Sequence, residues 1–236
     1  MNRPSLAVAP QQQPVYAERA LSWPTTGPQV TAEVSSAYDR VAADYADLVE
    51  PMLDDLSLDR ALLTAFTEEL PTGRPVVDLG CGPGHIAGFV HALGATVLGF
   101  DLSGEMVRQA RSRHPEVQFG VGSLLALPLE DASVGGVIAW YSIIHTPTDL
   151  LPEVFEEFRR VLAPGGGVIL AFQVGDEVRH LQRGYGHDIS LHSWRRPVQV
   201  VAELLQRSGF EVTTRIEREP TGQQKVPQGY LMARRP

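Results

Sequence analysis

Asp78 and the three glycines behind it are the residues whose types and spacing first suggest ligand chemistry. They stand in Pro75-Val76-Val77-Asp78-Leu79-Gly80-Cys81-Gly82-Pro83-Gly84-His85-Ile86. A short apolar run carries the acid, glycines follow at alternate positions, and Ile86, Phe89, Val90 and Leu93 recur at helical spacing. The pattern predicts buried strand, tight glycine turn, then helix. Glycine permits φ > 0 and lets backbone come close to a ligand. The free N–H groups of the helix start favour an anionic group, whereas Asp78 suits an amino group. A second acid, Asp101, follows Gly80 by 21 residues, the length of one helix plus one strand. That places a carboxylate at the tip of the neighbouring strand, where it can accept from both hydroxyls of a ribose. His145 follows the end of a later strand and is the first candidate general base, since imidazole titrates near neutrality. His187 and Tyr185 are secondary candidates, as base or as acceptor-binding groups.

A dinucleotide turn reads G-x-G-x-x-G; this one reads G-x-G-x-G behind an acid. Asp78-Leu79-Gly80-Cys81-Gly82-Pro83-Gly84 resembles the first motif of class I S-adenosylmethionine-dependent methyltransferases, and the chain is similar to the small-molecule enzymes of the ubiquinone and menaquinone type. Tyr38-Asp39-Arg40-Val41-Ala42-Ala43-Asp44-Tyr45 resembles the leading helix of that family, and Leu127-Pro128-Leu129 and Arg160-Val161-Leu162-Ala163-Pro164-Gly165-Gly166 resemble later stretches. The resemblance covers roughly residues 31 to 235. It implies S-adenosyl-L-methionine as cofactor, S-adenosyl-L-homocysteine as product, and methyl transfer to a small acceptor. It also implies cofactor contacts at Tyr38, Asp78, Gly80, Cys81, Gly82, Gly84, Asp101, Leu102, Met106, Ser123, Leu124 and Trp140. In the family such tyrosines close over the cofactor, and the helix start that holds Met106 covers the adenine, a face that a polarizable thioether suits. Ser123 departs from the pattern: an acid that accepts from the adenine amino group is common there, and a hydroxyl accepts more weakly.

The elements that must hold these residues alternate. Helical spacing of Val34, Tyr38, Val41 and Tyr45 predicts a helix from near Thr31, and a second helix is expected over 54–70. Strands follow at Val76–Leu79, Thr96–Phe100, Val117–Gly120, Val134–Trp140 and Val168–Phe172, with helices between them. Ser103 can cap one of these helices. A last helix opens at Pro197, and Phe210–Glu217 and Gly229–Arg234 read as a closing hairpin. The alternation predicts an α/β, doubly wound, Rossmann-like seven-stranded sheet, mostly parallel, with an antiparallel C-terminal hairpin strand. Ligands in such sheets bind beyond the carboxyl ends of strands where the order reverses, so Gly80 and Trp140 are expected to open into one crevice. The stretch from Gly175 to Trp194 breaks the periodic pattern and is expected as part of a small helical or loop cap, shared with residues 31–70. Tyr45, Tyr141, Arg179 and Tyr185 are the expected acceptor-binding residues; Arg179 or Arg183 can hold a carboxylate or phosphonate bidentately.

The whole chain narrows the partners. Its 236 residues suit one domain, taken as 31–236 behind a disordered tail at 1–30 that is rich in proline and glutamine. A net charge of −8 argues against a nucleic-acid partner. Cys81, the one cysteine, excludes an internal disulfide and a cysteine-based zinc cluster. No apolar run reaches the ~18 residues of a membrane span, and no signal peptide is apparent, so a cytoplasmic monomer or homodimer is expected. No carboxylate cluster suggests a metal. Oxygen is the preferred methyl acceptor, with nitrogen and carbon open. A non-catalytic cofactor-binding module is the alternative, and a dinucleotide oxidoreductase is disfavoured by the glycine spacing.

Overall fold

β4 (Val134–Trp140) is the axis of the molecule. Every residue of it is buried, as expected of a parallel strand covered on both faces. It lies between β1 (Val76–Leu79) and β5 (Leu162–Gln173) in a seven-stranded sheet of order β3-β2-β1-β4-β5-β9-β8. The computed structural model describes residues 27–222 and 224–236. β2 (Val97–Asp101) and β3 (Gln118–Val121) run parallel to β1. β9 (Gln228–Arg234) enters antiparallel between β5 and β8 (Glu211–Arg218). The sequence order reverses between β1 and β4, so the crevice lies beyond Leu79 and Trp140. The expected doubly wound sheet with its C-terminal hairpin is therefore present.

The two faces of β4 feed separate cores. Val137 and Ala139 pack with Phe155 and Phe158 of α6 (Leu151–Val161) and with Val201 and Leu205 of α7 (Val198–Arg207). Ile138 and Trp140 pack with Leu63 and Phe66 of α3 (Ser57–Glu68), Val90 of α4 (His85–Ala92) and Val107 of α5 (Gly104–Arg113). A third cluster joins Ala37, Val41 and Ala42 of α1 (Gly27–Val49) to Met106 and to Ile189 and Leu191.

Three expectations change here. The first helix starts at Gly27, not near Thr31, so Gly27–Val30 are helical; residues 1–26 of the expected tail lie outside the described residues. The expected helix over 54–70 is two helices, α2 (Met52–Asp55) and α3, broken at Leu56. The Arg60 guanidinium donates to the carbonyls of Leu53 (2.6 Å) and Asp54 beside the break, and the Leu56 N–H also donates to Leu53 (3.1 Å). The cap segment is no loop but an antiparallel hairpin of β6 (Val178–Gly184) and β7 (His187–Trp194). Its two-residue turn, Tyr185-Gly186, has φ 53° and 85°, the left-handed pair of a tight hairpin turn. Ile189 and Leu191 alternate with polar neighbours and bury against α1, which is why this polar stretch folds at all.

Candidate active site

The chain leaves β1 at Leu79 and turns at Gly80, where φ is 69° and an added Cβ would stand 2.3 Å from Ser142 Cβ. Only glycine fits so close to the segment after β4. Gly82, at φ 53°, lies under the Tyr45 ring, 3.6 Å from where its Cβ would be. Cys81 turns its side chain into the core against Gly99 and serves the turn through its N–H, which donates to the Phe100 carbonyl.

Two acids flank this turn. Asp78 is 1% exposed and its Oδ2 has no hydrogen-bond partner. Burial, then the nearby Asp101 carboxyl, pushes its pKa up to about 8, with the Ala87 N–H offsetting part of that. Asp101 accepts from Gly82 N through Oδ2 (2.8 Å) and from Ser103 N through Oδ1 (2.9 Å). Burial raises it to about 6 against those N–H groups. An ionised carboxylate has about four acceptor positions, so two bonds orient Asp101 and leave capacity for two hydroxyls. Ser103 caps α5 by accepting from Met106 N (3.0 Å), and its hydroxyl donates to Asp39 Oδ1 of α1 (2.6 Å). Leu102 is half-buried beside them.

α1 closes over the acids and brings Tyr38 to His145. His145 Nδ1 is 2.8 Å from the His192 carbonyl and Nε2 is 2.9 Å from the Tyr38 hydroxyl. Burial lowers the imidazole pKa to about 4, and the Arg196 cation works in the same direction. Edge-on ring contacts run in series, His145 to Tyr38 (5.4 Å), Tyr38 to Tyr45 (5.6 Å) and Tyr45 to Tyr185 at the hairpin tip (5.0 Å). Burial raises the pKa of each phenol. Glu33 of α1 accepts from His192 N and pairs with His192 Nδ1, each at 2.7 Å, and so fastens the hairpin.

Other expected site residues stand apart. His187, expected as a base, pairs with Asp44 at 2.6 Å and anchors the hairpin tip to α1. Arg179, expected on the acceptor, is exposed on β6, as is Arg183. Met106 is fully buried between α5, α1 and β7, so its thioether serves packing in that cluster. Ser123 accepts from Leu125 N (3.2 Å), and α1 begins against that loop, with Gly27 close to Leu125. Leu124 packs beside the α6 core. Trp140 and Tyr141 join Tyr230 rather than His145, with ring distances of 5.7 Å from Trp140 to Tyr230 and 6.3 Å from Trp140 to Tyr141. Tyr141 reaches this place through a left-handed backbone, φ 56°.

Arg196 belongs to the site although no local pattern in the chain points to it. It is 1% exposed and donates to Thr148 Oγ1 (2.9 Å) and to the carbonyls of Ile143 (3.3 Å), Trp194 (3.2 Å) and Thr146. It thus braces the turn that carries His145. In Arg195-Arg196 nothing marks the second residue as buried. Among the described residues no group of three histidine, cysteine, aspartate or glutamate side chains could hold a metal ion, and no helix is long and apolar enough to cross a membrane.

Residues 76–166 match a family model described as a methyltransferase domain. A probable S-adenosylmethionine-dependent methyltransferase of Mycolicibacterium smegmatis is 36% identical over 143 residues, 59% of this chain and 53% of that protein. A malonyl-[acyl-carrier protein] O-methyltransferase of Pseudescherichia vulneris is 29% identical over 163 residues, 69% of this chain and 62% of that one. The match thus spans about half to three fifths of these relatives' length. The solved DhpI–SAH complex, 20% identical, superposes with a TM-score of 0.68 over 89% of this chain and 98% of that one, a likeness of fold.

Proposed function

We propose that the chain, whose residues 76–166 match a methyltransferase domain, is a class I S-adenosylmethionine-dependent methyltransferase that transfers the methyl group of S-adenosylmethionine to an oxygen of a small acceptor. The observation that carries this reading is Asp78. A fully buried carboxyl with an orphaned oxygen is costly unless a cation or donor completes it, and the amino-acid end of S-adenosylmethionine carries an ammonium. The residues fit that cofactor. Asp78 would hold the ammonium, Asp101 the ribose hydroxyls, the Gly80–Gly84 turn the backbone approach, and Ser123 and Leu124 the adenine. When bound, the cofactor supplies a methyl carbon already activated by a sulfonium.

The chain's own contribution is positioning, water exclusion and proton removal. α1 and the β6–β7 hairpin cover the crevice, and Tyr38, Tyr45 and Tyr185 line the way from the surface. His145, neutral and fully enclosed, is placed to receive a proton. Oxygen is favoured as target by the O-methyltransferases among the relatives, although a malonyl acceptor presents a carboxylate and not a hydroxyl. A tailoring step on a specialised metabolite, in the cytoplasm, is in keeping with a small covered site.

Calorimetry tests the cofactor. S-adenosylhomocysteine is expected to bind and NAD is not, because the turn lacks the third glycine spacing of dinucleotide folds; the reverse would remove the proposal. Asp101→Ala is expected to weaken S-adenosylhomocysteine by about 1–3 kcal/mol. It also strands the N–H groups of Gly82 and Ser103, so the melting temperature falls as well. Unchanged affinity would count against the ribose assignment. Release of S-adenosylhomocysteine in the presence of acceptors separates an enzyme from a module that only binds the cofactor.

A further inference from the structure

The hydrogen bonds around His145 fix where its protons lie. A carbonyl oxygen only accepts, so the 2.8 Å contact to His192 O puts the ring proton on Nδ1. In the neutral ring Nε2 then offers a lone pair, and the Tyr38 hydroxyl must donate to it across 2.9 Å. The Tyr38 oxygen keeps its own lone pairs for a further donor. His145 is faced by Tyr38 from α1, by the His192 carbonyl from β7 and by Arg196 from the segment after β7, with Glu33 behind His192.

Among the described residues, the arginines of the hairpin and the segment after it offer an anionic acceptor no partner. Asp78 and Asp101 already place two buried carboxyls at the turn. Arg179 and Arg183 are exposed on β6, Arg195 is paired with Glu177, and Arg196 is turned onto three carbonyls and a hydroxyl. A carboxylate, moreover, is ionised at neutral pH and needs no base. A buried neutral imidazole with its lone pair committed to a tyrosine is useful only for an acceptor that still carries its proton.

We infer that the acceptor enters as a neutral hydroxyl compound, a phenol or an enol, and that Tyr38 is the catalytic residue that meets it, relaying its proton to His145. This rests on the proposed methyl transfer and narrows its substrate class. The acceptor O–H bond breaks as its proton joins the Tyr38 oxygen, and the proton of Tyr38 passes to Nε2. The acceptor oxygen takes the methyl carbon as the C–S bond breaks, and that electron pair stays on sulfur. One positive charge leaves the sulfonium and one appears on the imidazolium, so the buried site keeps its net charge.

The test uses the full chain saturated with S-adenosylmethionine and reads S-adenosylhomocysteine released. One set of probes is p-cresol, catechol and 2-naphthol; the other is benzoate, malonate and phenylphosphonate. Turnover of phenols alone is expected. Tyr38→Phe keeps the ring and its packing, and is expected to lower phenol turnover about 10²- to 10⁴-fold with S-adenosylhomocysteine affinity nearly unchanged. Its residual rate should climb with pH toward about 10, where a phenol ionises without help, whereas the wild type levels off earlier. A purely structural tyrosine would lower affinity or melting temperature and leave the pH profile in place. Turnover of the anions, retention of phenol turnover by Tyr38→Phe, or turnover of neither set would overturn the inference. Absence of S-adenosylhomocysteine binding would instead remove the methyltransferase reading beneath it.

Discussion

Asp78→Asn is expected to raise the melting temperature of the cofactor-free protein at pH 8 while weakening S-adenosylmethionine binding about 10- to 100-fold. An ordinary aspartate titrates near 3.9, and Asp78, buried beside Asp101, titrates at about 8. A group whose folded pKa is raised contributes stability that is full below the unfolded value and is lost as pH rises through the folded one. From this group the wild-type protein without cofactor should therefore melt at progressively lower temperature from about pH 4 to about pH 8, and level off above that. Asparagine cannot ionise, so the variant's curve should be flatter and lie above wild type at the alkaline end. The affinity loss follows from removing one charge-assisted hydrogen bond, worth about 1.5–3 kcal/mol. The cationic cofactor relieves the strained carboxylate, so its stabilising effect on wild type should grow with pH. Melting curves with and without S-adenosylmethionine decide this; parallel wild-type and variant curves at every pH would show that folding does not raise the Asp78 pKa.

Arg196→Met is expected to cost about 3 kcal/mol or more of stability, since the carbonyls of Thr146 and Trp194 lose the guanidinium donor inside the protein and Ile143 keeps only the Thr146 N–H. In a chain of this size that lowers the melting temperature by about 6–12 °C. A second consequence separates bracing from bulk stability. Burial holds His145 down at about 4, and the Arg196 cation adds to that, so removing the cation should raise the imidazole pKa. Arg196→Lys keeps the charge and loses the planar fork; it should lose part of the melting temperature while the histidine titrates nearly as in wild type. Histidine resonances followed by NMR across pH 3 to 8 give the comparison. A His145 pKa identical in Arg196→Met and wild type would remove the electrostatic role.

The glycine turn, the two acids and the strand-helix alternation were all readable in the chain, because each depends on local pattern. Alternate glycines need left-handed backbone wherever they occur, apolar runs of strand length pair in a parallel sheet, and one helix plus one strand fixes the distance from Gly80 to Asp101. His145 was legible as a residue near a strand end. Its partners were not, since Tyr38 lies 107 residues away and the His192 carbonyl 47.

The hairpin was hidden for a related reason. Its buried residues, Ile189 and Leu191, face α1 rather than the main sheet, so their alternation has meaning only once that helix is in place. Arg196 and His187 show the same limit from opposite sides. One charged side chain is buried because carbonyls from a distant turn surround it, and one expected base is used up by Asp44 across the cap. Residue type and spacing decided which backbone turns and strand tips this protein has. Which side chains meet above them was decided by α1 and the hairpin folding together over the sheet, because hydrogen bonds and desolvation act over a few ångströms of space, whatever the separation along the chain.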